Sequence, residues 1–151
     1  GKYDKKKGLP SSEWKFHQDI YNSKKEAKAI VHAHSTNATA VSTHKIGIPP
    51  FHYMVSMAGG HDIKCAKYAT FGTRELSKNI LNALKDRKAC LIANHGQIVY
   101  EENLTKAFEL AEEVENISLQ YITSLKLGMP KILSQREMKK VLSKAKNYKK
   151  G

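Results

Sequence analysis

Ala29-Ile30-Val31-His32-Ala33-His34-Ser35 is a short apolar run that ends in two histidines. Successive side chains of a β-strand alternate faces, so His32 and His34, two residues apart, project to the same side of the strand expected here. A third histidine stands in Cys90-Leu91-Ile92-Ala93-Asn94-His95-Gly96, at the end of another strand-like run, where Gly96 lets the backbone turn sharply. Three imidazoles with an open fourth position would make a catalytic zinc site. An H-x-H alone also reads as two strand histidines satisfied by hydrogen bonds, because a zinc motif needs convergent ligands.

Working outward, Gly8-Leu9-Pro10-Ser11-Ser12-Glu13-Trp14 reads as a loop feeding a helix that carries Trp14, Phe16, Ile20 and Tyr21 and ends near Asn22-Ser23. After the histidine strand, Asn37 to Ser42 reads as a short helix stopped before Gly47 and Pro49-Pro50. Phe51 to Ser56 and Ile63 to Tyr68 read as short strands joined by a turn at Gly59-Gly60. Leu76, Ile80, Leu81 and Leu84 form a helical stripe, and the strands Ala89 to Ala93 and Gln97 to Tyr100 flank Asn94-His95-Gly96. The longest helix is expected from about Asn103, with apolar residues every three or four positions to Leu125, ended by Gly128 and Pro130. A capping box, Ser134-Gln135-Arg136-Glu137, opens a last helix expected to bury Met138, Val141, Leu142 and Ala145. Helices alternating with short strands predict an α/β fold with a mixed sheet covered by helices, its active face at strand ends.

The 151 residues amount to one domain, and the 40% hydrophobic and 26% charged fractions are those of an ordinary globular chain. No apolar stretch is long enough to span a bilayer, and no signal-peptide pattern opens the chain. The first residue is not Met, which suggests a sequence that begins part-way into a longer reading frame. Two cysteines, Cys65 and Cys90, are too few for a disulfide framework and read as packing residues in a reducing cytoplasm. The net charge of +12 raises nucleic-acid binding as a hypothesis. Its distribution argues against that partner: much of the excess lies in Lys2 to Lys7 and Lys139 to Lys150, while Glu101, Glu102, Glu109, Glu112, Glu113 and Glu115 make the middle acidic.

Five stretches occur in order: Pro10-Ser11-Ser12-Glu13-Trp14, His32-Ala33-His34-Ser35, Ile48-Pro49-Pro50-Phe51-His52-Tyr53-Met54, Tyr68-Ala69-Thr70-Phe71-Gly72-Thr73 and Ala93-Asn94-His95-Gly96. On these the chain resembles the class II aldolase and adducin family, from Gly8 to Tyr148. The resemblance implies a single domain over 1–151, a three-layer α-β-α sandwich with a mixed, mostly antiparallel sheet, lacking part of its N-terminal region. Family members carry further glycine- and serine-containing phosphate loops before the Pro-Ser-Ser-Glu motif, and this sequence starts only a few residues ahead of it. The resemblance also implies zinc on His32, His34 and His95, with Glu13 as a further ligand or proton-transfer group. Ser11 and Ser12 then match positions that hold a substrate phosphate, while Tyr53 and Tyr148 match tyrosines that assist at the aldehyde end.

Each of these assignments has a plainer alternative. Glu13 in a first helical turn would complement the helix dipole, Ser11 and Ser12 would cap the helix, and either tyrosine alone would pack. His17, His44 and His61 are expected at the surface, and His52 is expected to support Tyr53 or the fold rather than bind metal. The implied activity is zinc-dependent cleavage of a ketose 1-phosphate into dihydroxyacetone phosphate and a short aldehyde. It implies a cytoplasmic homotetramer with sites between subunits, binding a small phosphorylated sugar and neither membrane nor nucleic acid. Within the family a sugar-phosphate epimerase or dehydratase is the rival, although the epimerase branch typically carries Asp where this chain has Glu13. A non-catalytic, adducin-like interaction module would lack the metal ligands.

Overall fold

Residue parity along four short strands separates two apolar cores, and that separation sets the layering. In the computed structural model, which describes residue 4 and residues 8–148 with side chains through residue 145, the strands are β1 (Ala29–Ala33), β2 (Lys64–Ala66), β3 (Ala89–Ile92) and β4 (Gly96–Glu101). They lie in the order β1-β4-β3-β2. β4 is antiparallel to both neighbours and β2 is parallel to β3, so the sheet is mixed and mostly antiparallel, as expected.

The helices are α1 (Trp14–Ser23), α2 (Thr36–Thr43), α3 (Arg74–Ala83), α4 (Leu104–Leu125) and α5 (Gln135–Tyr148). Ala29, Val31, Ala89, Leu91 and Val99 face one way and pack with Ala38 and Val41 of α2 and Leu110, Val114 and Ile117 of α4. Ile30, Cys90, Ile92, Ile98 and Tyr100 face the other way, against Phe16 and Ile20 of α1 and Leu76 and Ile80 of α3. This is the α-β-α sandwich, and each fully buried Leu, Ile or Phe contributes about 1.5–3 kcal/mol of apolar burial to it. His32 shares parity with Ile30, so its ring falls on the α1 face, edge-on to Phe16 at 5.2 Å between centroids.

Helix ends follow their capping chemistry. Thr73 Oγ1 accepts from Leu76 N at 3.2 Å, Asn103 Oδ1 from Lys106 N at 2.9 Å, and Ser134 Oγ from Glu137 N at 3.1 Å. Two expectations are corrected. Phe51 to Ser56 is not a strand: Tyr53–Ala58 winds into a 3-10 helix with Val55 N bonded to His52 O and Gly59 N to Ser56 O. Its anchors, Phe51 against Tyr121 of α4 and the buried Val55, satisfy a tight helix as well as they would an edge strand. Among the described side chains of α5 only Met138 is buried outright; Val141 and Leu142 are half-buried and Ala145 is exposed, because the helix packs mainly on the 3-10 segment rather than on the sheet.

Cys65 and Cys90 are free. Burial pushes the Cys65 thiol up to about 11 and raises that of Cys90 too, so both behave as packing residues. No helix among the described residues is long and apolar enough to cross a membrane.

Candidate metal centre

The β1 and β3 chains end at the same edge of the sandwich, and α1 begins there. β1 pairs Ala33 with Gln97, so its exit residue His34 sits beside the start of β4. The β3–β4 hairpin presents His95 from a three-residue loop in which Asn94 takes φ 55°. Buried Ser42 of α2 secures that loop: its carbonyl accepts from Asn94 N at 3.1 Å and its hydroxyl from His95 N at 3.3 Å. Gly96 is required by close approach, since a Cβ there would lie 2.4 Å from Ala33 O and 3.1 Å from His34 Cδ2.

Glu13, the residue before α1, completes the group. Its Oε1 lies 3.0 Å from His95 Nε2 and its Oε2 3.2 Å from His32 Nε2; His34 Nε2 is 3.2 Å from His32 Nε2. One donor atom from each of Glu13, His32, His34 and His95 lies within 4.8 Å of all the others. Zinc–nitrogen bonds of about 2.0–2.1 Å place tetrahedral ligands about 3.3–3.4 Å apart, so these separations suit a single ion.

Electrostatics favour a cation there as well. His32 Nδ1 donates to Gln97 O at 2.8 Å, which leaves the Nε2 lone pair facing the carboxylate when the ring is neutral. Burial lowers the His32 pKa, outweighing the carbonyl and Glu13, and burial likewise lowers that of His95 against the pull of Glu13. Glu13 Oε1 is enclosed with no aligned hydrogen-bond donor. Neutral imidazoles and a carboxylate with converging lone pairs are the donor set of a divalent metal.

The group opens into a cleft of about 450 Å³ lined by Ser12, Glu13, His34, Tyr68, Ala69, Phe71, Asn94 and His95. Ser12 therefore reaches the site. The Ser11 hydroxyl accepts from Glu13 N at 3.2 Å, fixing the turn that delivers the carboxylate. Tyr53 is not brought to the cleft; it is 53% exposed on the 3-10 helix, with its ring 4.8 Å from that of His52. Tyr148 closes α5, and its side chain lies outside the described residues.

The expectation that His17 lies at the surface is corrected. Its ring stacks on Phe16 at 4.9 Å and stands edge-on to His32 at 6.5 Å, because α1 lays this side of its first turn against β1. Burial, then the charge of His32, lower its pKa. His44 is exposed, as expected, whereas His61 is half-buried and its Nδ1 faces the Arg87 guanidinium at 3.2 Å. Sequence reasoning missed Tyr68, Phe71 and Asn94 as cleft residues; their clustering before Gly72 and Gly96 was the available signal, since both glycines permit close chain approach.

Residues 1–122 match the family described as Class II Aldolase and Adducin N-terminal domain. Over 149 residues the chain is 50% identical to an L-fuculose phosphate aldolase of Escherichia coli K12, covering 98% of this chain and 69% of that protein. A 5-methylthioribulose-1-phosphate/5-deoxyribulose-1-phosphate aldolase of Rhodospirillum rubrum is 48% identical over 139 residues, 92% of this chain and 63% of that one. A solved L-fuculose 1-phosphate aldolase superposes with a TM-score of 0.88 at 40% identity, covering 91% of this chain and 65% of the other. The chain thus spans about two thirds of the length of the relatives it matches. With a family match across most of its residues and half of its positions shared with a full relative, this chain belongs to the class II aldolase and adducin family.

Proposed function

We propose that this chain forms the metal-binding part of a zinc-dependent aldolase that cleaves a ketose 1-phosphate, of the L-fuculose 1-phosphate type, into dihydroxyacetone phosphate and a short aldehyde. The observation that carries the reading is the convergence of Glu13, His32, His34 and His95 at the mouth of a cleft. Aldolases named for L-fuculose phosphate and for 5-deoxyribulose 1-phosphate among its relatives support the substrate class. An intact donor set favours chemistry over a non-catalytic interaction module.

His32, His34 and His95 would hold the ion, with Glu13 beside them. Bound zinc would supply Lewis acidity, stabilising negative charge that develops on a donor oxygen when the carbon–carbon bond breaks. Glu13, the acidic side chain in this cluster, would accept or return a carbon-bound proton; its two oxygens face His95 and His32. Ser12, exposed at the cleft, would donate to the phosphate, with Ser11 beside it. Tyr68 and Phe71 line the cleft and would cover part of a substrate bound there.

Tyr53 and Tyr148 would act at the aldehyde end. In a homotetramer with sites between subunits, the exposed Tyr53 would serve a neighbouring copy. Turnover of L-fuculose 1-phosphate and 5-deoxyribulose 1-phosphate, followed by coupled reduction of released dihydroxyacetone phosphate, tests the proposal on zinc-loaded protein. Metal-dependent release from either ester is expected. Zinc-loaded protein that releases triose phosphate from neither would overturn the substrate reading.

A further inference from the structure

His34 is the least supported of the three histidines. It is exposed, and among the described residues its ring makes no hydrogen bond outside the cluster, whereas His32 is anchored through Nδ1 to Gln97 O. Its position depends on the backbone where β1 passes into α2, and that junction is held by α4, which packs beside α2 on the sheet face opposite to the His32 ring. Glu115, on α4, accepts from Asn37 N at 2.7 Å and Asn37 Nδ2 at 2.8 Å through Oε1, and from Ala38 N at 2.8 Å through Oε2. One carboxylate thus takes up free amides at the start of α2, three and four residues beyond His34.

Ser35, the cap residue of α2, makes no side-chain bond to its own helix. Its hydroxyl instead accepts from Gln97 Nε2 at 2.8 Å and lies close enough to the Glu115 carboxylate to help hold its pKa down. Gln97 Nε2 is also tied to Ala111 O of α4 at 3.0 Å, and its backbone carbonyl is the one that orients His32. Burial pushes the Glu115 carboxyl up, but hydrogen bonds from Ala38, Ser35 and Asn37 outweigh it and hold the group below the usual carboxylate range. The carboxylate is therefore the form that joins these amides.

We propose that Glu115, acting through Ser35 and the start of α2, is a positioning residue that fixes His34 in the metal centre from the far side of the sheet. This builds on the metal reading above. Outer groups that orient metal ligands typically govern affinity by about 10- to 100-fold. Glu115 reaches His34 through backbone rather than through its ring, so its loss should act on metal geometry as well as on stability.

Titration of the whole chain with cobalt(II), followed by its visible ligand-field bands and with melting curves recorded alongside, tests the proposal. Wild type is expected to bind with tetrahedral-type bands. Glu115→Ala should raise the cobalt Kd by about 10- to 100-fold and change the bands. Glu115→Gln, which keeps one acceptor oxygen, should fall between them, and Ser35→Ala should show the same direction more mildly. Arg87→Met serves as the control, because Arg87 clamps Asp62 at the other end of β3. It should lower Tm and leave the cobalt spectrum unchanged.

Cobalt affinity and bands in Glu115→Ala equal to wild type, whatever the Tm, would overturn the positioning role, as would an equal loss in Arg87→Met. If Glu115→Ala does not fold, Ser35→Ala decides by the same two readouts. Failure of wild type itself to bind cobalt would sink the metal reading, an outcome distinct from tight binding that Glu115 does not influence.

Discussion

Replacing Gly96 by alanine puts a methyl group where β1 and β4 leave no room for one. The new Cβ would stand 2.4 Å from Ala33 O and 3.1 Å from His34 Cδ2, and the first of these neighbours is backbone, which cannot swing aside. Restoring an ordinary contact of 3.4 Å opens that gap from 2.4 Å, a displacement of 1.0 Å at the end of the strand pair. Overpacking of this kind costs about 1–3 kcal/mol. At about 2–4 °C per kcal/mol for a domain this long, the melting temperature should fall by about 2–12 °C.

The larger effect should be on metal. Gly96 lies between His95 and the strand pair that ends at His34, and ligand distances in a metal site tolerate only about 0.2 Å. A displacement approaching 1 Å therefore exceeds what three histidines can absorb. Zinc affinity should drop more than the stability loss alone implies, by at least about tenfold. Competition with a chromophoric chelator measures it, and melting curves give the stability change. Wild-type zinc affinity together with wild-type Tm in Gly96→Ala would refute the close approach and its role in gathering the ligands.

Further perturbations separate chemistry from scaffold. Glu13→Gln should keep zinc on three histidines yet slow exchange of the dihydroxyacetone phosphate proton in deuterated water by about 10²- to 10⁴-fold; near-normal exchange in metallated protein would return Glu13 to a structural role. Acidification should strip metal and weaken the fold, because His32 and His95 have folded pKa values below the unfolded value of about 6.5. Their neutral, buried forms are fully favoured above that pH, and as it falls the unfolded chain takes up protons that the folded chain resists. Tm of the metal-free protein and zinc retention should both decline from pH 7 to pH 5, and constancy of both would contradict the burial argument. Ser42→Ala removes the hydroxyl that takes the His95 amide and should cost about 1–2 kcal/mol with loosened zinc binding, read by the same melts and chelator competition.

The convergence of the three candidate metal-binding histidines was partly legible, because their placement depends on local rules. The two-residue alternation of a strand pairs His32 with His34, and a terminal glycine marks where His95 leaves β3. Helix starts at Thr73, Asn103 and Ser134 were legible for the same reason, since a cap and its amide lie within three residues. The segment from Phe51 to Ser56 was misread because six residues are too few to tell the two-residue period of a strand from the three-residue period of a 3-10 helix, in which Val55 and Ala58 are the buried pair. Only its packing on α4 and α5 separates them.

His17 was misplaced because most of its neighbours in the chain are polar, whereas its ring stands beside His32 on β1, a residue distant in sequence. Glu115 and Gln97 were invisible as support for β1, being more than sixty residues from the groups they hold. Within the apparently acidic middle, Glu115 is consumed internally at the start of α2 and Glu101 by Lys88 at 2.6 Å. Nothing in residue spacing announces such pairings.

The convergence of Glu13, His32, His34 and His95 implies that together they hold a single metal ion. Elemental analysis of purified protein beside His34→Ala, both dialysed against zinc and then metal-free buffer, tests it most directly. The geometry predicts about one zinc per wild-type chain and a marked loss in His34→Ala with the fold retained by circular dichroism. Equal zinc content in the two proteins, or none in either, would contradict it.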